Sequence, residues 1–161
     1  MPRKSQTRKP IDSPDRRRLP PLLRRAWYGL NQAFRRRIAH LEITPDQFTV
    51  MRTLTEHDGI TQRELTHLIS SDPNTVVALL NRMEQAGLIE RETHERDRRA
   101  NRLRLKARGN AKYEKARSLA LGLQAEVLAA VPETRREQFL RDLDHLAAAC
   151  RAATRSTAAE E

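Results

Sequence analysis

The sequence predicts a mainly α chain in which four helices lead into a two-stranded hairpin and two more helices follow it. Three observations carry that expectation. Helix-start signals stand at Thr44-Pro45-Asp46-Gln47, Thr61-Gln62-Arg63-Glu64 and Asp72-Pro73. Apolar residues recur every three or four positions as far as Gly87, then alternate with charged ones to Leu105. From Arg108 the helical spacing returns.

Residues 1–18 carry three prolines and many charges with almost nothing apolar, a composition that cannot offset the entropy of ordering, so a disordered basic arm is expected there. Leu23, Trp27, Leu30, Phe34, Ile38 and Leu41 then share one face of a first helix. Thr44 with Gln47, and Thr61 with Glu64, have the spacing of a capping box, in which the cap hydroxyl and the side chain three residues on each satisfy the other's amide. Pro45 and Pro73 suit the first helical position, where no amide is needed. The second helix should bury Phe48, Met51 and Leu54 and stop near Asp58-Gly59; the third, short, should bury Leu65, Leu68 and Ile69. The fourth should bury Val76, Leu79, Leu80 and Met83 and stop at Gly87.

Two short helices joined by a tight polar turn make a helix-turn-helix, and the second is then the candidate reading helix. Leu88 to Leu105, with HERDRRAN at its middle, fits a hairpin with a basic tip. Tyr113, Ala116, Ala120, Leu123, Val127 and Ala130 mark a long helix broken at Pro132, and Phe139, Leu143, Leu146 and Cys150 a last one. The five glycines read as turn and stop residues.

The chain has 161 residues, enough for one domain, but only 38% apolar and 4% aromatic residues, so a single copy would have a thin core and help from a second subunit is expected. Its formal charge of +10 attracts polyanions, nucleic acid first. The cations are zoned: twelve Lys or Arg against three acids in residues 1–44, and nine against three in 91–112. No apolar run is long enough to span a bilayer and no signal-peptide core is present, which points to the cytoplasm and away from membranes. The Arg-rich start could imitate an organelle transit peptide, but a solvated arm is the simpler reading. A single cysteine, Cys150, excludes an internal disulfide and is read as a small buried hydrophobe. His40, His57, His67, His94 and His145 show no metal-ligand spacing, and no phosphate loop or nucleophile motif appears, so neither metal, cofactor nor enzymatic activity is expected.

The order of helices and the segments TQRELTHLIS, NTVVALLNRMEQAGLIER and DRRANRLRLKARG resemble the MarR family of bacterial regulators over about residues 22–150. The resemblance implies a winged helix-turn-helix with long N- and C-terminal dimerisation helices: a DNA-binding lobe at about 44–106, dimerisation helices at about 19–43 and 107–153 within one domain spanning 19–153, and a tail at 154–161. It implies a homodimer on double-stranded DNA, and often a small aromatic or anionic effector between the dimer helices and the DNA-binding lobe. Two departures stand out: Leu105-Lys106 where many members have Leu-Thr, and Ala78 where many carry a cation. Peroxide-sensing members use a cysteine near the first helix, which this chain lacks.

Asn74 and Thr75, at the start of the reading helix, are the candidates for contact with base edges or phosphates, Asn74 above all because an amide pairs bidentately with adenine. Asp97-Arg98-Arg99 resembles the family's wing signature, in which an arginine enters the minor groove while the aspartate holds the wing cations. Arg99 is accordingly the groove-inserting candidate, Asp97 its organiser, and Arg96 and Arg98 phosphate contacts. Trp27, Tyr28, Phe34, His40, His57 and Tyr113 could line an effector pocket or belong to the core. Arg35-Arg36-Arg37 could meet an anion or pack their stems over apolar surface.

These features favour a sequence-specific transcriptional regulator, acting as an effector-responsive repressor on a pseudo-palindromic operator. A nonspecific architectural nucleic-acid binder and a helical protein-interaction module remain the alternatives.

Overall fold

The computed structural model describes residues 18–94 and 97–157, and among these the side chains outside 93–101 and 154–157. The expected basic arm, apart from Arg18, lies outside the described residues. In chain order the structure contains α1 (Leu19–Ile38), α2 (Pro45–Glu56), α3 (Gln62–Leu68), α4 (Pro73–Gln85), β1 (Ile89–His94), β2 (Asp97–Leu105), α5 (Ala107–Leu128) and α6 (Glu133–Thr157). α6 thus continues to Thr157, into the segment expected as a tail.

The chain divides into two compact units, Met1–Leu119 and Ala120–Glu161, a division that falls inside α5 and inside the segment expected as one domain. In the first unit, Ile38 of α1, Val50 and Met51 of α2, Leu65 of α3, Val76, Leu80 and Met83 of α4, and Leu103 of β2 are wholly inaccessible. Each such side chain contributes about 1.5–3 kcal/mol relative to exposure, and together they fuse four helices and the hairpin into one lobe.

The helix starts form as their residues dictate. Thr44 N–H donates to Gln47 Oε1 at 2.9 Å while Gln47 N–H donates to Thr44 Oγ1 at 3.2 Å. Thr61 and Glu64 repeat the exchange at 2.7 and 3.2 Å, and the bonds that the Glu64 carboxyl accepts from the Thr61 amide and, at 2.8 Å, from the Thr61 hydroxyl hold it below its ordinary value. Asp72 Oδ1 accepts the Thr75 amide at 2.9 Å, starting α4.

α4 ends as predicted. Gly87 takes φ +68°, its amide bonds to Glu84 O at 2.9 Å, and the Leu88 amide bonds to Met83 O at 2.9 Å, the paired hydrogen bonds of a glycine helix stop. The hairpin that follows is antiparallel, pairing Ile89 with Leu105, Arg91 with Leu103 and Thr93 with Asn101. A register shift precedes the His94–Asp97 pair, so Arg98 and Arg99 lie in an irregular stretch of β2.

Some expectations fail for identifiable reasons. Leu68 is 48% exposed, because a seven-residue helix offers only a narrow buried face and Leu65 occupies it. Gly29, Gly109 and Gly122 lie inside helices, not at turns. Gly109 is there for space: a Cβ would collide with the Leu88 carbonyl oxygen and stand 2.9 Å from Leu105 Cδ2. Amphipathic spacing also says nothing about what covers a helix face. Trp27 and Leu30 of α1 are 65% and 44% exposed, Phe139 and Leu143 of α6 are 43% and 40% exposed, and Cys150 is exposed instead of buried.

Replacing Gly109 by Ala should therefore cost about 1–3 kcal/mol through overpacking, measured by urea denaturation. Gly122→Ala, where an added Cβ meets nothing within 4 Å, should instead stabilise by about 0.5–1 kcal/mol. Equal effects at the two positions would contradict the close approach at Gly109.

Hydrogen bonds from the Thr75 hydroxyl and then from its amide hold the Asp72 carboxyl below its ordinary 3.8. A depressed carboxyl pKa stabilises the fold above the unfolded value, and that contribution disappears as pH falls through the folded one. Asp72→Asn keeps a capping oxygen without the titration, so wild type should melt above the variant at neutral pH and the gap should close as pH drops below about 4. A gap independent of pH would remove the carboxylate from the cap.

Candidate nucleic-acid interface

α3 and α4 are joined through residues 69–72. The Ile69 amide bonds to Leu65 O at 2.9 Å and the Ser71 amide to Thr66 O at 3.3 Å, while Ser70 turns the chain in the left-handed region at φ +53°. That conformation costs a non-glycine residue roughly 1–2 kcal/mol, and Ser70 gave no sequence signal for it. The turn delivers Asp72 to its capping position and leaves the first turn of α4 at the surface. Asn74 and Thr75, both expected at the interface, are exposed there.

Their chemistry is not equal. Thr75 offers a single hydroxyl, next to the Asp72 carboxylate that accepts from its own amide. Asn74 keeps both amide donors and a carbonyl acceptor, matching the edge of adenine. Further along α4, Val77, Ala78, Asn81, Arg82 and Gln85 are also exposed. Apart from Ala78, none of them is marked by the sequence, although they are the complement of the buried Val76, Leu79, Leu80 and Met83.

The hairpin is anchored at its base to the helix-turn-helix. Leu103 N–H donates to Ile60 O at 2.9 Å, Thr61 forms an antiparallel bridge with Arg102, and Arg102 Nη1 donates to Gly59 O at 3.2 Å. On the other side, Arg91 bonds through Nη1 to Glu84 Oε2 at 2.5 Å and through Nη2 to Asn81 Oδ1 at 2.8 Å, tying β1 to α4.

These contacts revise the meaning of the basic zone at 91–112. Arg104 pairs with Glu92 at 2.9 Å and Asp58 at 3.5 Å, and Lys112 Nζ bonds to Leu41 O at 2.6 Å. Arg91, Arg102, Arg104 and Lys112 are thus engaged in holding the fold. Of the expected wing contacts, Arg96 lies outside the described residues. Asp97, Arg98 and Arg99 are placed by backbone alone, at the start of β2 and in its irregular stretch.

The six residues considered for an effector pocket separate into two groups. Phe34 and Tyr113 are buried on either side of Phe48, with ring centroids 4.9 Å apart edge-on to Phe34 and 5.6 Å apart stacked on Tyr113. They are an aromatic core joining α1, α2 and α5. Trp27, Tyr28, His40 and His57 are exposed, and among the described residues no aromatic contact joins any of them to that cluster. Of Arg35, Arg36 and Arg37, the first two are exposed and Arg37 is half-buried. Among the described residues no group of three or more His, Cys, Asp or Glu is placed to hold a metal ion, and no helix is long and apolar enough to cross a membrane.

Residues 43–100, from the residue before the cap of α2 into β2, match the model of the MarR family. The HTH-type transcriptional regulator BilQ of Clostridium symbiosum is 33% identical over 88 residues, which is 55% of this chain and 61% of BilQ. The match therefore spans less than two thirds of that relative's length. Two solved structures extend it: the M. tuberculosis transcriptional regulator MOSR in complex with DNA is 32% identical, with a TM-score of 0.67 over 81% of this chain and 96% of that one. CouR, a transcriptional repressor bound to a 23-mer DNA duplex, is 26% identical, with a TM-score of 0.74 over 82% of this chain and 96% of that one. The family match spans the helix pair and most of the hairpin, and the likeness to MOSR runs nearly that protein's full length, so this chain belongs to the MarR family of transcriptional regulators.

Proposed function

We propose that the protein is a sequence-specific DNA-binding regulator that acts as a cytoplasmic homodimer, placing two copies of α4 in successive major grooves of a pseudo-palindromic operator. It acts by binding and not by catalysis. The observation that carries this reading is the exposed amide of Asn74 on a capped α4, beside a hairpin whose root is hydrogen-bonded to the same helix-turn-helix. MOSR and CouR, each solved with DNA, present the same fold to a duplex.

The exposed apolar residues of α1, and separately those of α6, give a second copy surface to bury. Occupancy of the operator represses transcription, and a small aromatic or anionic effector relieves it. The exposed Trp27 and Tyr28, at 65% and 59%, offer that effector stacking surface. Arg99 enters the minor groove at the flanks of the site, where negative potential is concentrated, with Arg96 and Arg98 on phosphates, Asp97 orienting them, and the arm adding contacts that carry no sequence choice.

Selection from a random duplex pool at physiological salt, with wild type, Arg99→Ala and a form lacking residues 1–18 side by side, tests this reading. An inverted repeat with half-site centres about 10–10.5 base pairs apart is expected. Arg99→Ala should lose about 1–3 kcal/mol of affinity, and the truncated form should keep the motif with a shallower salt dependence, by about 0.9 in slope per lost phosphate contact. Equal retention of unrelated duplexes with a steep salt dependence would instead identify a nonspecific architectural binder. No retention would leave a protein-interaction module.

A further inference from the structure

We propose that α4 reads A·T-rich half-sites without an arginine–guanine contact: Asn74 addresses an adenine, Val77 and Ala78 pack on thymine methyl groups, and Asn81, oriented by Arg91, donates to a base acceptor. This inference rests on the DNA-binding function proposed above and specifies its base preference.

With 3.6 residues per turn, Asn74, Ala78, Asn81 and Gln85 form the stripe of α4 most nearly opposite the buried Val76, Leu80 and Met83. Val77 borders that stripe and is 39% exposed, an apolar branched side chain turned outward from the helix. In the major groove, guanine presents two acceptors and is matched by Arg or Lys, cytosine presents an amino donor and is matched by a carboxylate, adenine is matched by an amide, and thymine offers a methyl group.

The stripe contains no cation. Arg82, the one cation of α4, is eight residues beyond Asn74, about 12 Å along the axis. It lies on the flank beside Thr75, across the stripe from Val77, and under this inference it meets phosphate. Glu84, the one carboxylate within α4, is already paired with Arg91 at 2.5 Å, so cytosine finds no free acceptor of that kind. The other donor nitrogen of Arg91 engages Asn81 Oδ1 at 2.8 Å, which turns the carbonyl of that amide toward β1 and its hydrogens away. What remains facing a base pair is amide donors, amide acceptors at Asn74 and Gln85, and methyl surface, which together complement adenine and thymine, while the stripe offers neither the cation that best matches guanine nor a free carboxylate for cytosine.

The test starts from the duplex enriched by the full-length protein. Anisotropy titrations then compare that duplex with one in which the half-site thymines are replaced by deoxyuridine, which removes only the C5 methyl. A·T pairs are expected under α4, with wild-type affinity falling about fourfold per methyl lost, the equivalent of about 0.8 kcal/mol per buried carbon. Val77→Ala, a surface change checked for folding by thermal melting, should lose most of that sensitivity. Ala78→Arg should move one enriched position toward guanine, and Arg82→Ala should weaken all duplexes alike. Equal affinity for the thymine and deoxyuridine duplexes, or an enriched half-site with G·C at these positions that survives Asn74→Ala and Val77→Ala, overturns the inference while leaving the regulator intact. Failure to enrich any motif overturns both.

Discussion

The Leu103 amide donates to the Ile60 carbonyl across 2.9 Å, and the relation between the helix-turn-helix and the hairpin depends on that bond and its neighbours. Ile60 lies in the connection between α2 and α3, and Leu103 lies in the second strand of the hairpin. With the Thr61–Arg102 bridge and the Arg102 bond to Gly59, the connection becomes a minimal third strand at the hairpin's root. The hairpin cannot swing without breaking backbone hydrogen bonds next to a fully buried Leu103. On its other strand, Arg91 and the glycine stop at Gly87 fix β1 to α4. α4 and the hairpin base are therefore positioned by the fold, so under the proposed function recognition would begin from an organised surface, which lowers the ordering cost of binding.

This architecture changes what the positive charge means. A count of Lys and Arg treats the zone at 91–112 as one electrostatic footprint, but the structure divides it by task. Arg91, Arg102, Arg104 and Lys112 act as hydrogen-bond donors to carbonyls and carboxylates that join elements. Among the described residues of this zone, Lys106 and Arg108 are exposed and take no part in these bonds. α4 itself is almost uncharged on its outward face, so the proposed function assigns affinity and base choice to different parts of the molecule: cations at the periphery would set the first, and amides and methyl groups on α4 the second.

Local chemistry was legible in the sequence wherever one residue type is needed at one place. Thr44 with Gln47, Thr61 with Glu64, Asp72 with Pro73, and Gly87 as a stop all signalled their roles because an orphan amide or a positive φ accepts few side chains. The periodicity of Val76, Leu79, Leu80 and Met83 likewise gave the buried face of α4 correctly. What stayed hidden depends on distant neighbours. Gly109 reads as a stop until the Leu88 carbonyl is seen beside it, Ser70 carries no mark of its left-handed turn, and Cys150 and Leu68 lie on faces whose cover periodicity cannot name. At the interface, Asn74 was legible as a helix-start residue. The pairing of Arg91 with Asn81 and Glu84 spans ten and seven residues and required the fold. Phe34 and Tyr113 were ambiguous for the same reason, since an aromatic at helical spacing fits both a pocket and a core until Phe48 appears between them.

Under the proposed function, the anchored α4 and hairpin of two copies address one duplex with two-fold symmetry. Hydroxyl-radical and missing-base footprinting on a selected operator measures this directly. The expected pattern is two equivalent patches of base dependence in the major groove, about one helical turn apart, flanked outside by minor-groove protection from the hairpin tips. A single asymmetric patch, or uniform backbone protection with no base dependence, would contradict it.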